Sequence, residues 1–274
     1  MIISIINHSN GKVSDAKIQE VIRALNRQIT EDFEPYWSLG ATLRLEGHSG
    51  SVPTQQNPAD MRGDAIIYLW DQADIPGALG YHDRNNRGIP FGFVFLDVAA
   101  DLGEDWSVTL SHEALELIAD PEVNLLVAGP HPDPAENRDV FHWYEMCDAV
   151  QSETYKIDGI KVSNFLLPLY FTGGDEYDGR NDFLGTLVDD GVTLTSFGVN
   201  PGGYVGFFDP QTGGHSTYSM TGDTKAEKRM KIKRKIEGTR RAIRYQRHVK
   251  TSGSPVYKMA KQEQKKVSRK KALV

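Results

Sequence analysis

Cysteine is almost missing from this chain. Cys147 is the only one among 274 residues, so no intrachain disulfide can form and the fold has to rest on a packed core. Long apolar runs are missing as well, and none approaches the roughly 20 residues that span a bilayer. The first residues, Met1-Ile2-Ile3-Ser4-Ile5-Ile6-Asn7, carry no basic group ahead of their apolar stretch. That stretch is also too short for a secretion signal. It reads as a buried strand, and the expected setting is reducing and cytoplasmic. Basic residues are scarce over most of the length. Residues 1–222 hold 12 Lys+Arg against 33 Asp+Glu, a balance of −21, whereas residues 223–274 hold 19 against 4, a balance of +15. The net charge of −6 conceals this split, which predicts an acidic body followed by a basic interaction tail. No internal repeat is present.

What remains is ordinary globular stock, 39% hydrophobic and 25% charged, enough for one substantial core. The expected class is α+β. Residues 2–7 read as a strand. Ser14 can cap a helix running to about Asp32, with Ile18, Val21, Ile22, Leu25 and Ile29 on one face. Residues 41–46 and 65–70 read as strands, 77–88 as a turn-rich loop carrying His82, and 91–98 as a further strand. A helix is expected over Trp106 to Ala119, stopped by Pro121 because the residue before a proline disfavours helix. Beyond it, 128–134 reads as irregular and 141–151 as a short helix. Asp158-Gly159 signals a hairpin over 155–162, and 163–222 looks loop-rich. In the tail, Thr224 to Glu227 fits a capping box that opens a basic helix to about His248. Residues 249–274 look disordered. The expected division is therefore 1–222 and 223–274.

The chemistry lies in Ser111-His112-Glu113-Ala114-Leu115-Glu116. On a helix, positions i and i+4 share a face, so His112 and Glu116 can hold one ion together. Glu113 stands beside that ion, where a general base is needed to deprotonate water. The pattern is His-Glu-x-x-His with Glu in place of the second His, and a carboxylate is an acceptable zinc ligand. A further ligand is expected from Glu145 or Asp148. The two are i and i+3 on the expected helix, so that one or both can ligate Zn²⁺ and one can orient His112. Glu122, ten residues after His112, is the weaker alternative because Pro121 precedes it. Cys147 reads as a small buried hydrophobe, and His82 and His142 as structural.

Four strings carry a wider resemblance: Ser111-His112-Glu113…Glu116…Asp120-Pro121, Tyr144-Glu145-Met146-Cys147-Asp148, Val162-Ser163-Asn164-Phe165-Leu166-Leu167-Pro168, and Pro201-Gly202-Gly203-Tyr204. Over residues 65–215 the chain resembles a family of bacterial and phage proteins classed as zincin-like metallopeptidases. The order of expected elements resembles the upper subdomain of zincins, whose last strand borders the substrate cleft. That strand would be 91–98 here. The resemblance implies a zincin fold, a Zn²⁺ site and hydrolysis of a peptide or protein substrate, in the cytoplasm or a phage particle. Tyr204 and His215 are candidates for stabilising the developing oxyanion. The rival expectation is a non-catalytic binding or assembly protein that uses residues 223–274 to contact nucleic acid or an acidic protein. No membrane partner is expected.

Overall fold

The computed structural model describes residues 1–50, 60–73, 78–85, 87–173, 180–185 and 194–220, together with Glu227. The expected tail helix and disordered end fall outside these residues, apart from Glu227. The architecture is α+β with a mixed sheet. Among the described residues, no helix is long and apolar enough to cross a membrane.

The apolar N-terminal stretch becomes an interior strand, β1 (Ile2–His8). Helix α1 (Asp15–Arg27) follows, and the Ser14 hydroxyl accepts a hydrogen bond from the Lys17 amide, as its capping role requires. Ile18, Val21, Ile22 and Leu25 are its buried stripe. A π-helical turn over Gln28–Phe33 carries the chain into α2 (Glu34–Trp37). Then come β2 (Thr42–Glu46), β3 (Ala65–Trp70), β4 (Gly80–Arg84) and β5 (Pro90–Phe95). The sheet order is β2-β1-β3-β5-β4. The first four strands are parallel to one another, and β4 runs antiparallel to β5 at the edge.

Period-2 alternation sorts side chains between the two faces of this sheet. Ala65, Ile67 and Leu69 of β3 join the main core, whereas Ile66 and Tyr68 join an aromatic cluster with Tyr81, Phe91, Phe93 and Phe95 on the other face. The main core lies under α1 and the helix bearing His112.

Two expectations are corrected here. The stretch 77–88 contains β4. Its turn into β5 is closed by the Asn85 side chain, which accepts the amides of Arg87 and Ile89. The strand expected over 91–98 stops at Phe95, and Leu96 opens α3 (Leu96–Leu102), which Gly103 ends at φ 64°. The strand bordering the helix of His112 at the sheet edge is therefore β4, with β5 inside it.

Helix α4 (Trp106–Ala119) has the expected bounds and is buried on nearly every side. It packs against β4 and β5 on one side and the later hairpin on the other. The chain leaves it at Asp120, whose carboxylate accepts the amides of Asn124 and Leu125.

After α4, β6 (Leu126–Pro130) and β7 (Asp139–Trp143) occupy stretches expected to be irregular and helical. Val140 and Trp143 bury their side chains, and pairing with neighbours on both sides overrides the helical reading. Only a single 3₁₀ turn, Asp148–Val150, remains of the expected helix over 141–151. The predicted hairpin is present as β8 (Thr154–Ile157) and β9 (Ile160–Ser163). Asp158 and Gly159 both have positive φ, as a type I′ turn requires. Strands β10 (Tyr204–Asp209) and β11 (Gly214–Ser219) complete a four-stranded antiparallel sheet in the order β11-β10-β7-β6. The region expected to be loop-rich is therefore partly sheet.

One buried hydrogen-bond network holds α4 in place. The Ser111 hydroxyl donates to Gln28 Oε1 at 2.7 Å and accepts the Ser163 amide at 3.0 Å. Gln28 Nε2 donates to the Ser163 carbonyl at 2.8 Å. Removing the hydroxyl strands a buried donor and a buried acceptor, each worth about 1–3 kcal/mol. Ser111→Ala is therefore expected to destabilise the protein by roughly 2–4 kcal/mol in urea unfolding, and a change near zero would show that water replaces the hydroxyl.

Candidate metal centre

Three elements converge on one buried point. Helix α4 brings His112, Glu113 and Glu116. The edge strand β4 brings His82, and the turn after β7 brings Glu145, Cys147 and Asp148. Tyr81 belongs to the aromatic face of the sheet, so Gly80 and His82 face α4 by alternation. Glycine at position 80 leaves room for the helix. A Cβ there would stand 2.9 Å from Glu113 Oε1 and 2.8 Å from the Thr109 side chain.

The i, i+4 pair meets as expected, with His112 Nε2 3.3 Å from Glu116 Oε2. His112 Nε2 is also 3.3 Å from Asp148 Oδ1. These separations are long for a charge-assisted hydrogen bond. They match the ~3.3 Å edge of a tetrahedron built on the ~2.0 Å bonds that zinc makes to nitrogen and oxygen. Cys147 Sγ lies in the same group, where the ligand atoms of His112, Glu116 and Cys147 are all within 4.8 Å of one another. Glu116 Oε1 accepts the Cys147 amide at 3.1 Å, which leaves Oε2 turned toward the imidazoles.

His82 forms the other half. Its Nδ1 is 3.1 Å from Glu113 Oε2 and 3.6 Å from Glu116 Oε2. Its Nε2 is 3.8 Å from Glu145 Oε2. His82 is only 3% exposed, and among the described residues its Nε2 is buried with no hydrogen-bond partner. The ligand atoms of His82, Glu113 and Glu116 lie within 4.8 Å of one another, as do those of His112, Glu116 and Cys147. The residues present therefore fit a divalent cation.

Glu145 and Asp148 both reach the site, although no α-helix carries them. They divide between the imidazoles, Asp148 on the His112 side and Glu145 on the His82 side. Glu122 is drawn away, since its carboxylate pairs with Arg84 at the surface. Tyr204 lies beside Asp148 and is hydrogen-bonded to it; burial first, then the charges of Asp148 and Glu116, hold its phenol well above its usual pKa. It remains a donor aimed at a carboxylate. His215 sits on β11, with its ring stacked on Trp143 at 5.3 Å and packed against Phe208. Burial lowers it to about 4, so it brings no positive charge at neutral pH. His142 donates to or accepts from nothing in this cluster; its Nε2 meets the Pro130 carbonyl at 2.7 Å. Sequence reasoning missed His82. The available signal was a histidine followed by Asp83-Arg84 and the Asn85-to-Gly88 turn, ahead of an apolar strand.

The electrostatics of the cluster are coupled. Burial raises Glu116 to about 7, and Glu145 and Asp148 push it the same way while His112 opposes. Burial disfavours charge on His112 too, but Glu116 and Asp148 outweigh it and hold the imidazole well above its usual value. For His82, burial is likewise outweighed, by Glu113, Glu145 and Glu116.

Comparisons with protein-family profiles, curated proteins and solved structures returned no match.

Without metal, all three shifts are upward, so the folded state holds these protons more tightly than the unfolded chain. Stability is present below the unfolded values, 4.5 for Glu116 and 6.5 for the histidines, and is lost as pH rises through the folded ones. Chelator-treated protein is expected to become less stable between pH 4.5 and about 7, read as a falling denaturation midpoint. A midpoint that rises over that interval would contradict the protonation pattern.

Proposed function

We propose that the chain is a metal-dependent peptidase, with His112, Glu116 and Asp148 holding Zn²⁺ and Glu145 alongside. The observation that carries this reading is the pair of 3.3 Å separations around His112 Nε2, beside a carboxylate on the next helical residue. A divalent cation in this position supplies Lewis acidity toward the scissile carbonyl and toward water. Glu113 takes the proton of the attacking water on its carboxylate and returns it to the departing amine as the C–N bond breaks. His82 Nδ1, 3.1 Å from Glu113 Oε2, orients that carboxylate. Tyr204 fixes Asp148 in the same way. The resemblance to zincin-like proteins supports the reading, as does the antiparallel edge strand beside α4.

Purified protein is expected to carry zinc, and His112→Ala to lose it. Glu113→Gln is expected to keep the ion at His112 while cleavage of a denatured-protein substrate falls roughly 100-fold or more, the usual scale of general-base catalysis. Elemental analysis and a fluorogenic protein substrate measure both. Full activity in Glu113→Gln would overturn the mechanism.

A second proposal concerns residues 223–274. Their balance of +15 beside a body of −21 suits binding to a polyanion such as nucleic acid, or to an acidic protein face. Binding of the full chain to duplex DNA at low salt is expected to fall steeply with added salt, because phosphate contacts release counterions. Deleting 223–274 is expected to abolish it. Salt-insensitive binding, or retention after the deletion, would reject this role.

A further inference from the structure

The cluster contains more ligands than one tetrahedral cation can use. Three carboxylates and two imidazoles surround Glu116 Oε2, and they fall into two groups. His112 and Asp148 lie on one side. His82, Glu113 and Glu145 lie on the other. Glu116 Oε2 is shared, 3.3 Å from His112 Nε2 and 3.6 Å from His82 Nδ1.

The second group is spaced similarly to the first. His82 Nδ1 stands 3.1 Å from Glu113 Oε2 and 3.6 Å from Glu116 Oε2. The ~3.3 Å edge expected for a tetrahedral zinc or similar ion lies between these values. The ligand atoms of His82, Glu113 and Glu116 all lie within 4.8 Å of one another, and all three residues are buried. The cation would sit on Nδ1, the ring nitrogen that faces Glu113 and Glu116, while Nε2 faces Glu145. Charge points the same way. One divalent cation balances Glu116 and Asp148, and Glu113 with Glu145 brings two more buried carboxylates to the His82 side. The His82 imidazole can meet one of these charges, and a divalent cation meets both.

We infer that the protein binds a second divalent cation between His82, Glu113 and Glu116, with Glu116 bridging it to the ion at His112. The inference rests on the reading that the His112 group takes a divalent cation. The ligand set, one imidazole with carboxylates, suits Zn²⁺, Mn²⁺ or Co²⁺. A shared carboxylate oxygen places the two ions within the roughly 3.5–4 Å typical of paired sites. When the second position is filled, Glu113 is a ligand and is no longer available as a base, so base catalysis by Glu113 belongs to the singly loaded protein.

The test uses the full-length chain, stripped by chelator and titrated with Co²⁺ alone, with bound metal counted after dialysis. About two Co²⁺ per wild-type chain and about one per His82→Ala chain are expected for a bridged pair. Circular dichroism checks that the variant folds. Mn²⁺-loaded wild type supplies a reading independent of any variant: a carboxylate-bridged pair gives a spin-coupled multiline resonance, and isolated ions give six lines. One ion in wild type with only the six-line spectrum overturns the second site and leaves the peptidase proposal standing. No bound ion overturns both. Two ions in wild type and in folded His82→Ala alike remove His82 from the site and overturn the assignment.

Discussion

Everything in this fold bears on one buried carboxylate oxygen. Glu116 Oε2 lies between two imidazoles, on a residue only 3% exposed. An ionised carboxylate taken out of water is costly unless paired and hydrogen-bonded. The structure meets that cost from three directions at once. The Cys147 amide takes Oε1, His112 approaches from the same helix, and His82 approaches from the sheet edge. None of these partners is adjacent to Glu116 in sequence except His112, one turn back. The site therefore exists only when α4, β4 and the turn after β7 are docked together.

That docking explains the placement of the less conspicuous residues. Ser111 precedes His112 and faces the opposite way, into Gln28 and Ser163. It fixes the rotation of α4 and so the direction in which His112, Glu113 and Glu116 point. Gly80 lets the edge strand approach closely enough for His82, two residues on, to reach Glu113. The aromatic cluster of Tyr68, Tyr81, Phe91, Phe93 and Phe95 holds the far face of this edge strand and of β5 and β3 beside it. A side chain on an edge strand is positioned only as well as that strand is anchored, and Tyr81 anchors it beside His82.

The legible parts of the chain were those whose local pattern and tertiary setting agree. Helix α4 was readable because Pro121 stops its helical run. Strand β3 was readable because an unbroken apolar run is what a strand buried on both faces requires. The Asp158-Gly159 hairpin was readable from its turn chemistry alone. Strand β4 was not, because Gly-Tyr-His-Asp-Arg has no apolar alternation. Its burial comes from α4 and β5 packing over it, which no local window contains. Strands β7 and β10 were lost similarly, since their aromatic residues fit either a helix face or a ladder until long-range pairing decides between them.

Glu145 and Asp148 show how a correct residue can be reached through an incorrect element. Spacing of i and i+3 on a helix would have put both carboxylates on one side of one ion. In the structure the strand β7 ends at Trp143, and the turn that follows passes under Glu116. Residues three apart around a turn diverge where residues three apart on a helix converge. Asp148 goes to His112 and Glu145 goes to His82. A helix at 141–151 would have concentrated the carboxylates around a single centre. The turn distributes them around a shared oxygen, and with His82 on the opposite wall that distribution gives the site two imidazole-centred halves.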